Sequence, residues 1–247
     1  MRYAGASALV VGGTGGIGDA FVTELLEHGA DVALTYCHNR TAAEEHVADA
    51  TARGRRCCAY PLDLRDRAAI EQCCRRIVSE FAVPSLLVNC AGIIRDRPMA
   101  LMEADDWDHV LETNLIGPFY LLRQLVPLMM RRGGGRIVNV ASVSGSFGTP
   151  GQSNYAASKG GLIALTRTMA RELGPFNITV NALSPGFVDT EMTAHIPDAR
   201  RRRLLERIPL RRFGTPRDVV AAARVLLTPD TTYVNGQVLV VDGGLTA

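Results

Sequence analysis

Residues 6–18, Ala-Ser-Ala-Leu-Val-Val-Gly-Gly-Thr-Gly-Gly-Ile-Gly, read as a short buried strand that runs straight into a glycine-rich turn. An amphipathic stretch over about Asp19–His28 follows, so the order is strand, turn, helix. Glycines there let the backbone approach a ligand, and the N–H groups of the helix end face outward. That arrangement suits a phosphate. A glycine cluster alone also makes an ordinary tight turn, so the flanking chain has to decide between the two. Gly29–Thr35 supplies a second apolar strand and completes a strand–helix–strand unit.

The same period continues outward. Helices are expected over Thr41–Arg53 and Asp66–Glu80, and strands over Arg56–Leu62 and Ser85–Asn89. Two helices fit between Met102 and Arg131, followed by a central strand, Arg136–Ala141, and a long helix ending near Leu173. A strand over Ile178–Leu183, a helix over Pro216–Leu227 and a last strand within Gly236–Gly244 close the chain. Alternation of this kind predicts an α/β fold: a single doubly wound parallel sheet of Rossmann type, with helices on both faces. Ligands then lie beyond the carboxyl ends of the strands.

With 247 residues and no linker, repeat or low-complexity tract, one domain spanning 1–247 is expected. A net charge of +2 gives no reason to expect nucleic acid or a membrane surface as partner. No apolar stretch reaches the roughly 18 residues of a membrane span. The apolar start of the chain passes at once into glycines, as a core strand does and a secretion signal does not. The six cysteines show no Cys-x-x-Cys spacing and read as reduced thiols of a cytoplasmic protein. The five histidines form no ligand pattern, so no metal is expected.

Several polar residues fall where the strands should end. Asp63-Leu64 and Asn89-Cys90-Ala91-Gly92 occupy two such ends; Asp63 either accepts a hydrogen bond from an adenine amino group or simply makes a turn. The second strand runs out as Tyr36-Cys-His-Asn-Arg40, with no carboxylate before Glu44 to grip the ribose of NAD. His38, Asn39 and Arg40 instead suit a 2′-phosphate, favouring NADP, unless Arg40 merely begins the next helix. Asn114 interrupts a helical run just before Gly117-Pro118, either satisfying a kink or ordering a water. Ser184-Pro185-Gly186 through Thr190 ends another strand on the ligand side, where its backbone and Thr190 suit a carboxamide.

The chemistry concentrates in Ser142–Lys159. Tyr155 and Lys159 are four apart at the start of a helical run, which stacks them on one face. An ammonium beside a phenol favours phenolate, so the tyrosine is expected to fall from its ordinary value of about 10 toward neutrality. Lys159 is the only lysine in the chain; every other cationic side chain of the Lys/Arg class is arginine. The two are not interchangeable, because lysine alone offers a compact, rotatable charge. Ser142 follows the central strand and places a hydroxyl at its tip. Residues 191–216 break the rhythm with an arginine-rich run, either a solvated helical face or a substrate lid suited to phosphate-bearing molecules.

Taken together, GGTGGIG at 12–18, NCAG at 89–92, Asn114, Ser142, YAASK at 155–159 and SPG at 184–186 resemble the short-chain dehydrogenase/reductase family over essentially the whole chain. GRIVNVASVSG, GQSNYAASKGGL, ITVNALSPGFVDTEM, PLRRFGTP and GQVLVVDGG make it most similar to the 3-oxoacyl-(acyl-carrier-protein) reductases within that family. The resemblance implies Tyr155 as proton donor to a substrate carbonyl, with Lys159 lowering its pKa and binding a ribose. It implies that Ser142 holds the carbonyl and that Asn114 supports a proton-relay water. It implies NADPH held by Gly12, Gly13, Thr14, Gly15, Gly16, Ile17, Gly18, Arg40, Asp63, Leu64, Asn89, Ala91, Gly92, Tyr155, Lys159, Pro185, Gly186, Val188 and Thr190. Ser142, Gln152 and Tyr155 then border the substrate, an acyl thioester on acyl carrier protein or coenzyme A. Arginines at 131, 132, 171 and 200–203 would meet an acidic carrier. A homotetramer is implied, packed through the helices around Asn114 and Tyr155 and through the last strand. Val11, Gly15 and Cys90 depart from the family pattern. Other ketoreductases, alcohol or sugar dehydrogenases, and a non-catalytic dinucleotide-binding regulator are the competing readings.

Overall fold

Successive residues of the first strand bury opposite ways. Ala8 and Val10 enter one apolar core with Phe21, Leu25 and Leu226, while Leu9 and Val11 enter another with Ile77, Leu121 and Leu125. A strand buried on both sides belongs inside a sheet covered by helices on both faces, which is why it reads as a continuous apolar run. The structure, a computed structural model, describes residues 2–247. Strands β1 (Ser7–Val11), β2 (Asp31–Tyr36), β3 (Cys57–Pro61), β4 (Leu86–Asn89), β5 (Gly135–Val140), β6 (Ile178–Pro185) and β7 (Val238–Val241) form one sheet in the order β3-β2-β1-β4-β5-β6-β7. Every neighbouring pair is parallel. The expected doubly wound Rossmann-type α/β fold is what the chain adopts.

Helices α1 (Gly16–Glu27), α2 (Arg40–Ala52) and α10 (Pro216–Leu227) cover the first core. Helices α3 (Arg67–Glu80), α5 (Gly117–Arg132) and α7 (Ser153–Leu173) cover the second. Among the described residues no helix is long and apolar enough to cross a membrane. Strand order reverses direction between β1 and β4, so a crevice opens at their carboxyl ends.

Two boundaries differ from expectation. Helix α1 begins at Gly16 rather than Asp19, inside the glycine motif, with Asp19 N–H already bonded to the Gly15 carbonyl at 2.8 Å. Glycine's poor helix propensity is overridden there by close packing. The pair of helices around Asn114 is not broken at all. Helix α4 (Ala104–Leu111) passes through a π-helical turn at Glu112–Ile116 directly into α5, with helical backbone angles at both joins. Gly117-Pro118 does not end the path: the wider π turn just before it, closed by Gly117 N–H to the Glu112 carbonyl, is where the helix accommodates a proline that donates no bond. A side chain at position 117 would overlap the Leu64 carbonyl, so glycine is what lets the helix come that close. Two short helices, α6 (Ser144–Phe147) and α8 (Glu191–Ala194), flank the mouth of the crevice. The arginine run forms α9 (Asp198–Arg207), anchored through Leu204 and Ile208 to a small core with Phe213.

Candidate active site

The glycine turn is clamped from three directions. Gly12 adopts φ +76 and donates to Thr35 Oγ1 at 3.1 Å, and Gly13 donates to the Thr35 carbonyl at 2.9 Å. A Cβ at Gly12 would come within 2.9 Å of the Ala91 backbone, and one at Gly16 within 2.5 Å of Thr190 Cγ2. At Gly18 it would overlap the Gly12 carbonyl. The turn after β1 therefore touches β2, the loop after β4 and the loop after β6. Gly15 differs: it has open space in front of it, and as N-cap of α1 it offers no side chain to the first-turn amides. Those N–H donors and the positive end of the helix are directed at an anion from outside, which fits the pyrophosphate of a dinucleotide.

A pocket of about 100 Å³ continues from this turn. Ile17, Gly92, Tyr155, Lys159, Pro185, Gly186, Val188 and Thr190 line it, so eight of the expected coenzyme residues, drawn from the start of α1, the loop after β4, the first turns of α7 and the end of β6 with its following loop, come together. Other expected residues are engaged elsewhere. Asp63 is gripped by Arg65, with Nη2 to Oδ2 at 2.6 Å, and that guanidinium holds its carboxyl below the usual carboxylate range. Arg40 begins α2 and pairs with Glu44 at 2.7 Å, while Asn39 caps the helix by accepting from Ala42 N–H. Asn89 is buried and donates to Asn139 at 3.4 Å, and Asn139 in turn donates to Thr166 at 2.9 Å. That chain ties the end of β4 through β5 to α7.

The Ser142–Lys159 stretch folds as the spacing suggested, with a different electrostatic outcome. Asn154 fixes the start of α7 by donating to the carbonyls of Arg95 and Asp106 and accepting from Tyr155 N–H at 2.7 Å. Tyr155 and Ser142 both line the pocket, and the Ser142 hydroxyl accepts from Ser144 N–H at 3.2 Å. Lys159 is 3% exposed; its Nζ donates to the Val140 carbonyl at 2.9 Å and lies 5.7 Å from the tyrosine ring centroid. The expected fall of the phenol toward neutrality is not what the structure gives. Burial, which disfavours phenolate, pushes Tyr155 up to about 12; the nearby Ser142 hydroxyl works downward and the Asp96 charge upward. Burial also pulls Lys159 down to about 8, opposed by Cys90.

Asn114 sits on the π turn, fully buried. Its Oδ1 accepts from Ile93 N–H at 2.9 Å, and its Nδ2 donates to the Ile93 carbonyl at 3.0 Å and to Ser158 Oγ at 3.1 Å. Both amide hydrogens are taken, so the side chain braces the loop after β4 against α7. Gly92 lies where this brace and Lys159 converge: a Cβ there would be 3.1 Å from Nζ and 3.5 Å from Asn114 Oδ1.

Ser142 and Tyr155 also line a wider cavity of about 700 Å³, together with Gln152. Gln152 donates to Asp96 at 2.8 Å and accepts from Ser144 Oγ at 2.9 Å, and Ser144 Oγ lies 2.9 Å from Thr149 Oγ1. Sequence reasoning missed Asp96, Ser144 and Thr149. Asp96 sits in Arg-Asp-Arg, which reads as solvated loop, whereas the hydroxyls carried a faint signal as part of the stretch that includes Ser142. Among the described residues, no three His, Cys, Asp or Glu side chains gather as a metal site, and the six cysteines are free thiols.

A family model described as enoyl-(acyl carrier protein) reductase matches residues 12–246. A 3-oxoacyl-(acyl-carrier-protein) reductase of Thermotoga maritima is 40% identical over 245 residues, covering 99% of each chain. One from Staphylococcus epidermidis is 38% identical over 239 residues, covering 97% of this chain and 98% of its own. Another, from Synechocystis, is 38% identical over 96% of both. The glycine turn, the Ser142–Tyr155–Lys159 pocket and relatives matched end to end lead to one assignment: the chain belongs to the short-chain dehydrogenase/reductase family, oxidoreductases that use a nicotinamide dinucleotide.

Proposed function

We propose that this protein reduces a 3-oxoacyl thioester, on acyl carrier protein or coenzyme A, to the 3-hydroxyacyl thioester with NADPH. One observation carries the reading: Ser142 and Tyr155 both line the narrow pocket as well as the wide cavity, so their side chains stand where the two meet. When bound, NADPH supplies a hydride. Ser142 holds the substrate carbonyl, and Tyr155 gives its phenolic proton to the carbonyl oxygen. With a pKa near 12 the phenol stays protonated at neutral pH, and an alkoxide forming on the substrate is a stronger base still, so the transfer runs downhill. Buried Lys159 supplies positive charge beside the ring and a donor for a ribose hydroxyl. Asn114 holds the floor of the site; a relay water would bond to its remaining acceptor, since both its donors are used. Replacing Tyr155 by phenylalanine should lower acetoacetyl-thioester reduction by a factor of about 10²–10⁴. Near wild-type rates would remove the assigned acid.

The glycine turn, Leu64, Ala91 and the eight pocket residues are read as the coenzyme's binding surface, with Asp63, Asn89 and Arg40 in supporting places. NADP is preferred because β2 ends without a carboxylate; Arg40 must leave Glu44 to meet a 2′-phosphate. Measured affinities for NADPH and NADH in wild type and Arg40→Ala test this, and tighter binding of NADH would refute it. The family model's description favours a second reaction, reduction of an enoyl thioester. Two hydroxyl-bearing side chains lining the same cavity suit an oxygen acceptor better than a carbon one. Turnover of 3-oxoacyl against enoyl thioesters separates the two. Residues 191–216 are read as a lid on a single domain. A homotetramer is supported by exposed Trp107, Ile116 and Phe119 along α4–α5 and by Val240 on the edge strand, and light scattering tests it.

A further inference from the structure

The four consecutive arginines of α9 do not share one environment. Arg201 is committed: it pairs with Asp189 and lies over the Phe213 ring at 4.1 Å. Arg200, Arg203 and Arg207, spaced three and four apart, fall on one helical face, and all three line the 700 Å³ cavity that holds Ser142 and Tyr155. Among the described residues no carboxylate pairs with any of the three, whereas Arg40, Arg65, Arg97, Arg212 and Arg224 each hold one. Another wall of the cavity carries the opposite sign, in Asp96 held by Gln152. A cleft with three free guanidiniums on one wall and a carboxylate on another discriminates by charge and direction.

We propose that Arg200, Arg203 and Arg207 form a subsite for an oxyanion on the substrate, remote from the reacting carbonyl, and so select anionic thioesters over neutral ones. The inference rests on the reading of this cavity as the thioester site. Guanidinium forks match the paired oxygens of phosphate and carboxylate, and Asp96 repels the same group from its own side. The oxyanion comes either from a phosphate on the thiol-bearing arm or from a carboxylate on the acyl chain.

The test compares kcat/KM for three substrates: acetoacetyl-pantetheine, acetoacetyl-pantetheine 4′-phosphate, and a 3-oxoacyl-pantetheine ending in a carboxylate. Each is measured with wild type, with the triple variant Arg200→Gln, Arg203→Gln, Arg207→Gln, and with Arg202→Gln on the outer face as control. The ratio of anionic to neutral kcat/KM should fall about tenfold or more in the triple variant, each partly exposed pair contributing modestly. Arg202→Gln should leave that ratio unchanged. Added salt should lower the wild-type ratio and spare the variant's. The substrate whose ratio falls identifies the source. An unchanged ratio for both anionic substrates overturns the proposal. Calorimetric binding of pantetheine 4′-phosphate against pantetheine keeps the two readings apart. If no thioester is turned over but the phosphorylated arm binds in an arginine-dependent way, the reaction assignment fails and the subsite stands. Equal binding of both arms, together with an unchanged carboxylate ratio, removes the subsite.

Discussion

Replacing Asn114 by alanine removes a fully buried amide and three hydrogen bonds, of 2.9, 3.0 and 3.1 Å, to the backbone of Ile93 and the hydroxyl of Ser158. Both backbone groups of Ile93 then lose their partner at the same point. A buried polar group left unpaired costs about 1–3 kcal/mol, and the void adds about 1 kcal/mol. Ile93 is only half-buried, so water would meet part of the demand, and the lower part of that range applies. The sum is about 3 kcal/mol. For a chain of this size each kcal/mol moves Tm by about 2–4 °C, so a fall of about 6–12 °C is expected. Thermal unfolding at neutral pH measures it, with NADPH oxidation followed well below both transitions. A Tm lowered by less than about 2 °C would refute the reasoning that this side chain braces the site. Lost turnover at unchanged Tm would assign it to proton traffic instead.

Three further perturbations follow from the geometry. Lys159 titrates at about 8 when folded against an ordinary 10.5, so reductase activity should decline as pH rises through about 8 while Tyr155 keeps its proton. The unfolded chain binds the extra proton between those two values, so the Lys159 contribution to stability improves with pH across that window; Tyr155 acts the opposite way between 10 and about 12. A rate profile flat from about pH 6 to 10, or an alkaline limb that survives in Lys159→Met, would contradict the assignment. Gly18→Ala places a methyl on the Gly12 carbonyl, a backbone atom that cannot step aside, and should destabilise by about 1–3 kcal/mol and abolish measurable NADPH binding; wild-type affinity would count against the clamped turn. Glu24, nearly buried, is held by Arg224 through two 2.8 Å bonds and by Arg2 and His28. Glu24→Gln should lower stability by about 2 kcal/mol, discounted because Arg224 can turn to solvent, with coenzyme affinity unchanged; chemical denaturation would show no shift if the cluster is idle.

The fold was legible because its signals are local. Helix α10 could be bounded from sequence, since Thr215, Pro216 and Asp218 make a capping box and the first turn, and the apolar face follows at once. The buried strands were legible for the same reason. What failed depended on neighbours far away in sequence. Position 16 has to be glycine inside the helix because Thr190 leaves no room for a side chain, and nothing within 12–18 announces that contact. The π turn at Asn114 exists to reach Ile93, a residue in another loop. The YxxxK spacing brought Tyr155 and Lys159 to one pocket, but not the direction of the ammonium, which the Val140 carbonyl decides. Burial then outweighed the charge that spacing alone suggested. Asp96 was illegible because its partner, Gln152, comes from the far side of the site.

The sole lysine is sealed inside, so no side-chain amine decorates the exterior. Aldehydes and activated esters thus meet no lysine on the outside of this molecule, and slow modification at Lys159, located by peptide mapping, would report openings of the catalytic pocket itself. Guanidinium also keeps its charge where ammonium sheds it, above about pH 10. The outer arginines therefore carry the same charge at pH 7 and pH 10, so an alkaline limb near pH 8 that vanishes in Lys159→Met belongs to the buried ammonium.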